Sequence, residues 1–205
     1  MVKTFVVGVL ETNCYIVIDE KTKEAIVIDP GSKEEAIPKF ILENNLKVKY
    51  IYLTHCHFDH IYGASWLKDK IKAPIACLDK ELDNIQNEDV TMGKLVILES
   101  VMTIPDKVFS ENDKIKIGEL EFEVIYTPGH TSGSSCLYGN DMLFSGDTLF
   151  KNTHGRCDLP TGDITAIIRS IQFKLFNLSD KTVVYPGHGF TTTIFEEKQS
   201  QNFEY

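Results

Sequence analysis

The sequence has few cysteines and no long apolar run. Its five cysteines are odd in number, irregularly spaced and never arranged as C-x-x-C, so no disulfide framework is indicated and we expect reduced thiols. No stretch approaches the roughly 18 apolar residues of a membrane span. The N-terminal residues enter a strand-like pattern directly, without the apolar region and cleavage site of a signal peptide. We therefore expect a cytoplasmic protein with no membrane partner.

Positive charge is also in deficit. Lys and Arg number 21 against 30 Asp and Glu, which gives a formal net charge of −9 at pH 7. A general nucleic-acid binder usually carries a basic face, so we expect no nucleic-acid partner. Apolar residues make up 42% and charged residues 25% of the chain, as in an ordinary soluble globule. We expect one domain over residues 1–205 with a sizeable core, and the pattern indicates no particular oligomeric state.

Histidine is scarce, and half of it is concentrated in one short segment. The chain has six His, and three of them lie in residues 54–60, which read THCHFDH after a β-rich run. Side chains at i and i+2 of an extended segment point to the same side, so His55 and His57 can hold one ion together. Asp59 and His60 follow as the chain turns and can reach a second ion. Imidazole and carboxylate groups suit zinc, iron or manganese, so the segment predicts a metal site.

Three further ligand-capable residues end strand-like runs later in the chain. They are His130 in TPGHT, Asp147 in SGDT and His188 in PGHG. Each lies beside a glycine just past a predicted strand, where a rigid scaffold commonly presents functional groups. The candidate metal ligands are then His55, His57, Asp59, His60, His130, Asp147 and His188.

The order of these blocks resembles that of the metallo-β-lactamase-fold hydrolase superfamily over nearly the whole chain. The segments TPGHTSGS, GDTLF, GRCD and PGHG further resemble its glyoxalase II-like, or hydroxyacylglutathione hydrolase-like, branch. Many short strands with distributed helices favour two sheets faced by helices but leave the topology open. The resemblance implies an α/β fold, an αββα sandwich of two mixed β-sheets flanked by helices, with the site at one edge between the sheets.

The resemblance also implies how the ligands are shared between two ions. The second ion would be held by Asp59, His60 and His188, and the first by His55, His57 and His130. Asp147 would bridge the two, since a carboxylate has two oxygens. We expect Zn²⁺, with Fe²⁺ or Mn²⁺ as alternatives. Metal coordination would activate water as the nucleophile, and Asp59 is the candidate catalytic residue that orients the water and accepts its proton.

Such a site suits hydrolysis of a thioester, because a thiolate leaves without a protonated general acid. The resemblance implies a small-molecule substrate such as S-D-lactoylglutathione or a related hydroxyacyl thioester. Glyoxalase II adds a C-terminal helical region that this sequence lacks. Arg156 stands where that family has a basic glutathione contact, but Asp158 replaces an expected aromatic residue. We therefore take Arg156 as a candidate substrate contact and predict weak dependence on glutathione.

An Fe(II) persulfide dioxygenase is the main alternative, because that class shares the scaffold and the G-R-x-D segment. It would use two His and one carboxylate, here His55, His130 and Asp147, around an iron with open positions. A lactonase or phosphodiesterase on the same metals is a weaker alternative. Cys56 points away from its two His neighbours in an extended strand and is predicted to pack in the core.

Local patterns predict several helices and one supporting residue. Ser32–Glu35 is typical of a capping box, but Pro38 then falls inside the helix, and a start near Pro38 is the alternative. Asp163 is predicted to cap an amphipathic helix, and the tail after His188 is predicted to be helical. Residues 78–102 are predicted to form a helix and a loop that overhangs the site. The resemblance implies that Asp29 supports the metal loop as a second-layer residue.

Overall fold

The computed structural model describes residues 1–201, and the first half of the chain forms one mixed sheet. Its six strands are adjacent in chain order. The first three pair antiparallel, and the third to sixth pair parallel. The strands are β1 (Val2–Val7), β2 (Thr12–Ile18), β3 (Glu24–Ile28), β4 (Lys47–Leu53), β5 (Ile75–Leu78) and β6 (Lys107–Phe109).

The second half forms another six-stranded sheet and a two-stranded ribbon. The strands are β7 (Lys114–Ile117), β8 (Leu120–Tyr126), β9 (Ser135–Gly139), β10 (Met142–Gly146), β11 (Leu149–Phe150), β12 (Thr153–His154), β13 (Val183–Pro186) and β14 (Thr192–Thr193). The sheet order is β14-β13-β10-β9-β8-β7, and β11 pairs with β12. Only the β10–β13 pair of this sheet is parallel.

Eight helices cover the sheets among residues 1–201. They are α1 (Ala36–Glu43), α2 (Phe58–Ile61), α3 (Ala64–Ile71), α4 (Leu82–Ile85), α5 (Glu88–Thr91), α6 (Gly93–Val96), α7 (Ile164–Phe173) and α8 (Ile194–Ser200). Short 3₁₀ turns occupy Asp79–Glu81 and Leu175–Asn177. No helix in this part of the chain is long and apolar enough to cross a membrane.

Three apolar clusters stack to give four layers. Residues of α1 and α3 pack with one face of the first sheet, and residues of α7 and α8 pack with one face of the second. The two inner faces meet in a central cluster that includes Tyr15, Tyr52, Phe122 and Phe144. All seven residues of β2 are buried, because alternate side chains reach the helices and the other sheet. The predicted αββα sandwich of two mixed sheets is confirmed.

The predicted capping box at Ser32 is wrong. Helix α1 begins at Ala36, and Glu35 precedes it without a side-chain capping bond. Pro38 is thus in the first helical turn, where its missing N–H has no intrahelical partner to lose. The prediction at Asp163 is confirmed, because its carboxylate accepts a hydrogen bond from Ala166 N and caps α7.

The segment predicted to form a helix and an overhanging loop is broken into short turns. Residues 78–102 hold a 3₁₀ turn and three four-residue helices, α4 to α6, instead of one helix and a loop. Met92 and Val96 of this segment line the cavity above the His and Asp residues, so the predicted overhang is confirmed. The tail forms α8 through Ser200, and residues 202–205 lie outside the described part of the chain.

Candidate metal centre

All seven predicted ligands lie in segments that follow strands along one edge of the sandwich. His55 and His57 follow β4, Asp59 and His60 lie in α2, and the other three follow β8, β10 and β13. The first four therefore come from one sheet and the last three from the other, and the site lies between them. The potential ligand atoms form three overlapping groups, and within each group the atoms lie within 4.8 Å of one another. The groups are His55–His57–His130, His55–His60–Asp147 and Asp59–His60–His188.

Asp147 lies between the groups and faces both. Its Oδ1 is 3.3 Å from His60 Nε2, and its Oδ2 is 3.5 Å from His130 Nε2 and 3.6 Å from His188 Nε2. The carboxylate reaches this position because Gly187 has no side chain, since a Cβ there would lie 2.1 Å from Asp147 Oδ1. Any other residue at 187 would displace the carboxylate from the centre of the cluster.

Backbone carbonyls fix the orientation of two imidazoles. His130 Nδ1 is 2.7 Å from the carbonyl oxygen of Arg156, and His188 Nδ1 is 3.0 Å from that of Leu10. A carbonyl only accepts hydrogen bonds, so Nδ1 carries the proton in both rings. Each ring then presents Nε2 to the cluster, where His130 Nε2 lies 2.8 Å from His57 Nδ1 and His188 Nε2 lies 3.3 Å from His60 Nε2. A metal ion would be held through these Nε2 atoms.

Asp29 orients a third imidazole, as predicted. Its Oδ2 is 2.9 Å from His60 Nδ1, and its carboxylate also accepts hydrogen bonds from the backbone N–H and the hydroxyl of Thr54, at 2.8 and 2.6 Å. The side chain therefore connects the end of β3 to the loop that begins the His-rich segment. Asp29 is 2% exposed, so these contacts replace water entirely.

Several polar atoms of the cluster are buried without a partner. Among residues 1–201, His55 Nε2 and Asp147 Oδ1 accept or donate no hydrogen bond, and His57 Nδ1 faces His130 Nε2 at 2.8 Å. A buried polar atom without a partner costs roughly 1–3 kcal/mol, so these atoms call for another occupant. A cation that accepts lone pairs from imidazole and carboxylate fits them, and the cluster is suited to a metal site.

The charges of the cluster favour the same conclusion. Burial, with the adjacent His130, lowers the pKa of His57 to about 3, so its ring is neutral and its lone pair available near pH 7. At His60 burial opposes the charged form, but the carboxylates of Asp147, Asp59 and Asp29 outweigh it and raise the pKa. Three buried carboxylates around one imidazole leave the site short of positive charge, which a metal ion would supply.

Residue Glu81 supports the site and was missed in the sequence. Its fully buried carboxylate accepts hydrogen bonds from the backbone N–H of Cys56 at 2.8 Å, the hydroxyl of Thr131 at 2.8 Å and the amide of Asn84 at 2.6 Å. Cys56 lies between two of the candidate ligands, and Thr131 follows a third. In the sequence Glu81 belongs to a polar stretch typical of a surface turn, so no local signal marks it as buried.

Strand β2 also contacts the site, and sequence analysis missed this too. The Thr12 hydroxyl donates to Asp59 Oδ2 at 3.0 Å, and Thr12 forms an isolated bridge with His188. Asn13 Nδ2 donates to the carbonyl oxygens of Pro186 and Gly189, both at 3.0 Å. The only available signal was a polar Thr-Asn pair at the start of an otherwise apolar strand. These contacts hold the last candidate ligand against the first sheet.

A cavity of about 370 Å³ opens onto the cluster. Five candidate ligands contribute to its floor, and its walls are mostly apolar. The residues that line it are Leu10, His57, Phe58, Asp59, Met92, Val96, His130, Asp147, Phe150, Arg156, Leu159 and His188. Its size is within the range of small-molecule sites.

Arg156 lies at this cavity, but its charge is already paired. Its Nε and Nη2 each donate to a carboxylate oxygen of Asp158 at 2.7 Å. That guanidinium lowers the pKa of Asp158 to about 2, so the pair stays ionised at neutral pH. Cys157 lies between them, and burial raises the pKa of its thiol to about 11, which keeps it protonated and weakly nucleophilic.

The remaining residues considered from the sequence lie outside the cluster. Cys56 is fully buried and packs in the cluster of the first sheet and its helices, as predicted. His154 lies in β12, with its Nδ1 2.8 Å from the carbonyl oxygen of Gly155. It belongs to none of the ligand groups formed by residues 1–201.

The fold and this cluster define a metal-binding hydrolase class, in which strand ends of an αββα sandwich present His and Asp. A family model described as the metallo-beta-lactamase superfamily matches residues 7–188, and the chain belongs to this superfamily.

Relatives of known structure or name cover almost the full chain. The hydroxyacylglutathione hydrolase GloC of Haemophilus influenzae is 34% identical over 203 residues, which cover 96% of this chain and 94% of that protein. The crystal structure of the BLEG-1 B3 metallo-beta-lactamase superposes with a TM-score of 0.90 at 33% identity and covers 97% of both chains. The structure of TTHA1623 in a di-iron-bound form has a TM-score of 0.85 at 29% identity and covers 98% of this chain and all of that one.

Proposed function

We propose that this protein hydrolyses a small-molecule thioester, of the hydroxyacyl thioester class, with the help of two metal ions. The observation that carries the proposal is Asp147, which directs one oxygen to His60 and the other to His130 and His188 at the floor of a substrate-sized cavity. The 34% identity to a hydroxyacylglutathione hydrolase supports the same reaction class.

The proposed metal sites correspond to two of the three groups of neighbouring ligand atoms. Residues His55, His57 and His130 would hold one ion, and Asp59, His60 and His188 would hold the other. The third group contains His55, His60 and Asp147, so Asp147 would be available to both. We take Zn²⁺ as the first choice, while the di-iron form of TTHA1623 makes Fe²⁺ a strong candidate. Metal ions bound there would lower the pKa of water toward neutrality and polarise a carbonyl group.

Asp59 is the candidate base. It lines the cavity, and its Oδ2 accepts a hydrogen bond from the Thr12 hydroxyl at 3.0 Å. This contact orients the carboxylate, which would in turn orient a water molecule and take its proton. The apolar walls formed by Phe58 and Leu159 limit competing water.

A thioester suits this set of side chains, because its leaving group needs no proton. Within residues 1–201, the cavity contains no Lys and a single Arg, and that Arg is paired with Asp158. An amide or alkoxide leaving group would require a protonated acid beside the scissile bond. A thiolate leaves unassisted, so the cavity as built is sufficient.

The test is thioester cleavage by protein loaded separately with Zn²⁺, Fe²⁺ and Mn²⁺. Thiol release from S-D-lactoylglutathione and from a small hydroxyacyl thioester is followed, and Asp59→Asn is expected to lower kcat by about 10²–10⁴-fold. Chelated protein serves as the control and should regain activity when metal returns.

The same preparations are assayed for oxygen consumption with a persulfide. Oxygen-dependent turnover of the persulfide without thioester cleavage would overturn the proposal in favour of an Fe(II) dioxygenase. Hydrolysis of a lactone or phosphodiester, again without thioester cleavage, would move the protein to another reaction class on the same metals.

A further inference from the structure

The walls of the cavity are unusually apolar for a site expected to take an anionic thiol carrier. Above the His and Asp floor the lining side chains are Leu10, Phe58, Met92, Val96, Phe150 and Leu159. They come from the β1–β2 turn, α2, the α5–α6 segment, β11 and the loop before α7. Five separate segments thus converge to place apolar atoms around one space.

Apart from the proposed metal ions at its floor, the cavity has little positive charge that would recognise the carboxylates of a thiol carrier. Among the described residues that line it, Arg156 is the one Lys or Arg. Its Nε and Nη2 both donate hydrogen bonds to the carboxylate of Asp158. Both side chains of this pair are largely exposed, at 62% and 68%, so a substrate carboxylate that met Arg156 there would gain little. The apolar walls therefore offer more binding energy than this one charge.

Two of the wall residues are exposed enough for a substrate to cover them. Leu10 is 47% and Val96 is 49% exposed. Leu10 belongs to the β1–β2 turn and Val96 to α6. Burial of such side chains is favourable in proportion to the apolar area removed from water. A ligand with an apolar group gains this energy, whereas a compact polar ligand leaves both side chains in water.

We propose that the cavity selects thioesters that carry an apolar arm, and that Leu10, Met92 and Val96 determine this specificity. The inference rests on the proposed thioester hydrolysis for its substrate class. The arm is an alkyl or aryl group on either the acyl side or the thiol side of the scissile bond. Its recognition depends on contact with the walls and not on charge.

The effect has a defined size. Burial of one methylene contributes about 0.8 kcal/mol, so each added methylene should improve binding and kcat/KM about threefold to fourfold. From an acetyl to a hexanoyl group the gain is about 80- to 250-fold if all four added methylenes contact the walls. A cavity of about 370 Å³ limits the series, so the gain should stop with longer chains.

The experiment measures two series of substrates. In one, acyl groups from acetyl to decanoyl are carried on a small neutral thiol, and in the other, acetyl is carried on alkyl thiols of increasing length. The series with the steep slope identifies the side of the bond that enters the cavity. Non-hydrolysable thioethers with the same arms are titrated by calorimetry, which measures binding without turnover.

Matched variants test the assignment to particular residues. The double variant Leu10→Ser with Val96→Ser should reduce the slope to less than about twofold per methylene. Because the slope compares substrates within one variant, a uniform change in turnover cancels. Leu95→Ser is the control, because Leu95 lies in the same helix as Val96 and is 74% exposed, but does not line the cavity. It should leave the slope unchanged.

The outcomes separate this inference from the proposed reaction. Chain-length-dependent thioether binding without thioester cleavage would leave the apolar selectivity in place and overturn the hydrolase proposal. Flat slopes in both series would overturn the inference. So would a much higher kcat/KM for S-lactoylglutathione than for every apolar thioester, even though hydrolysis itself would then be established.

Discussion

Replacement of Glu81 by alanine should weaken metal binding as well as the fold. The carboxylate holds the backbone N–H of Cys56, the hydroxyl of Thr131 and the amide of Asn84. Two of these donors have a second acceptor, because Thr131 Oγ1 is 2.8 Å from Ser134 Oγ and Asn84 Nδ2 is 2.9 Å from Ser132 Oγ. The N–H of Cys56 has no other acceptor among residues 1–201.

The size of both losses follows from these hydrogen bonds. One orphaned buried N–H costs about 1–3 kcal/mol, and the vacated space adds to it, so we expect Glu81→Ala to lower the free energy of unfolding by about 3 kcal/mol. The unanchored N–H lies between His55 and His57, and loss of such a supporting contact typically weakens metal binding about 10–100-fold. Glu81→Gln keeps one acceptor oxygen for Cys56 and should retain most of both quantities.

The assay compares Glu81 with a buried carboxylate elsewhere. Glu197 is also fully buried and accepts hydrogen bonds from Thr192 Oγ1 at 2.6 Å and Asn152 N at 2.8 Å. Among residues 1–201, its hydrogen bonds reach no candidate ligand and no residue directly adjacent to one. Urea unfolding of metal-free protein gives the stability change, and competition with a chromophoric chelator gives metal affinity. Glu197→Ala should lose comparable stability with unchanged affinity. Equal metal affinities of the Glu81→Ala variant and the wild type would refute the reasoning.

Three further outcomes follow from the structure. Asp147→Ala should reduce metal content at both sites and abolish turnover, whereas Cys56→Ala should leave metal content nearly intact; atomic absorption would contradict the assigned side-chain directions if the two results were exchanged. Gly129→Ala should cost about 3 kcal/mol or more in urea unfolding, because Gly129 has φ +139° and a Cβ would lie 2.2 Å from a backbone nitrogen of α7. Asp19→Asn should destabilise the fold most above about pH 4, because backbone N–H groups, first that of Thr22, lower the pKa of Asp19. The stabilisation by Asp19 is lost as the pH falls through the pKa that this carboxyl has in the folded protein. A difference in the free energy of unfolding that does not change with pH would contradict this.

The candidate site could be located from sequence because its ligands follow strands in short, chemically distinctive blocks. His130, Asp147 and His188 each stand beside a glycine at a strand end, and neighbouring strand ends meet at one edge of a sheet. Glu81 could not be located, because its burial depends on the packing of α4 and the loop at Thr131. These contacts join residues 25 to 50 positions apart, beyond any local pattern.

The capping box predicted at Ser32 is wrong for a similar reason. The backbone at Ser32 packs closely against Gly63, because a Cβ added to Gly63 would lie 2.2 Å from the carbonyl oxygen of Ser32. Gly63 N also donates a hydrogen bond to the carbonyl oxygen of Pro30 at 2.8 Å. Residues 30–32 are held against the start of α3 by these contacts, and α1 begins only after them, at Ala36. Local propensity at Ser32 is therefore overridden by packing between segments some 30 residues apart.

The pairing of Thr12 and Asn13 with the His188 loop has a consequence for biosynthesis. A ribosome releases the chain from its N-terminus at about 5–20 residues per second, so the ligands of α2 emerge many seconds before His188. The last ligand reaches its place only when a loop of more than 170 residues closes onto β2, which is an entropically slow step. If the proposed metal site forms, a nascent chain would offer an ion only some of the candidate ligands, and stable binding would wait until the second half has been translated and has docked.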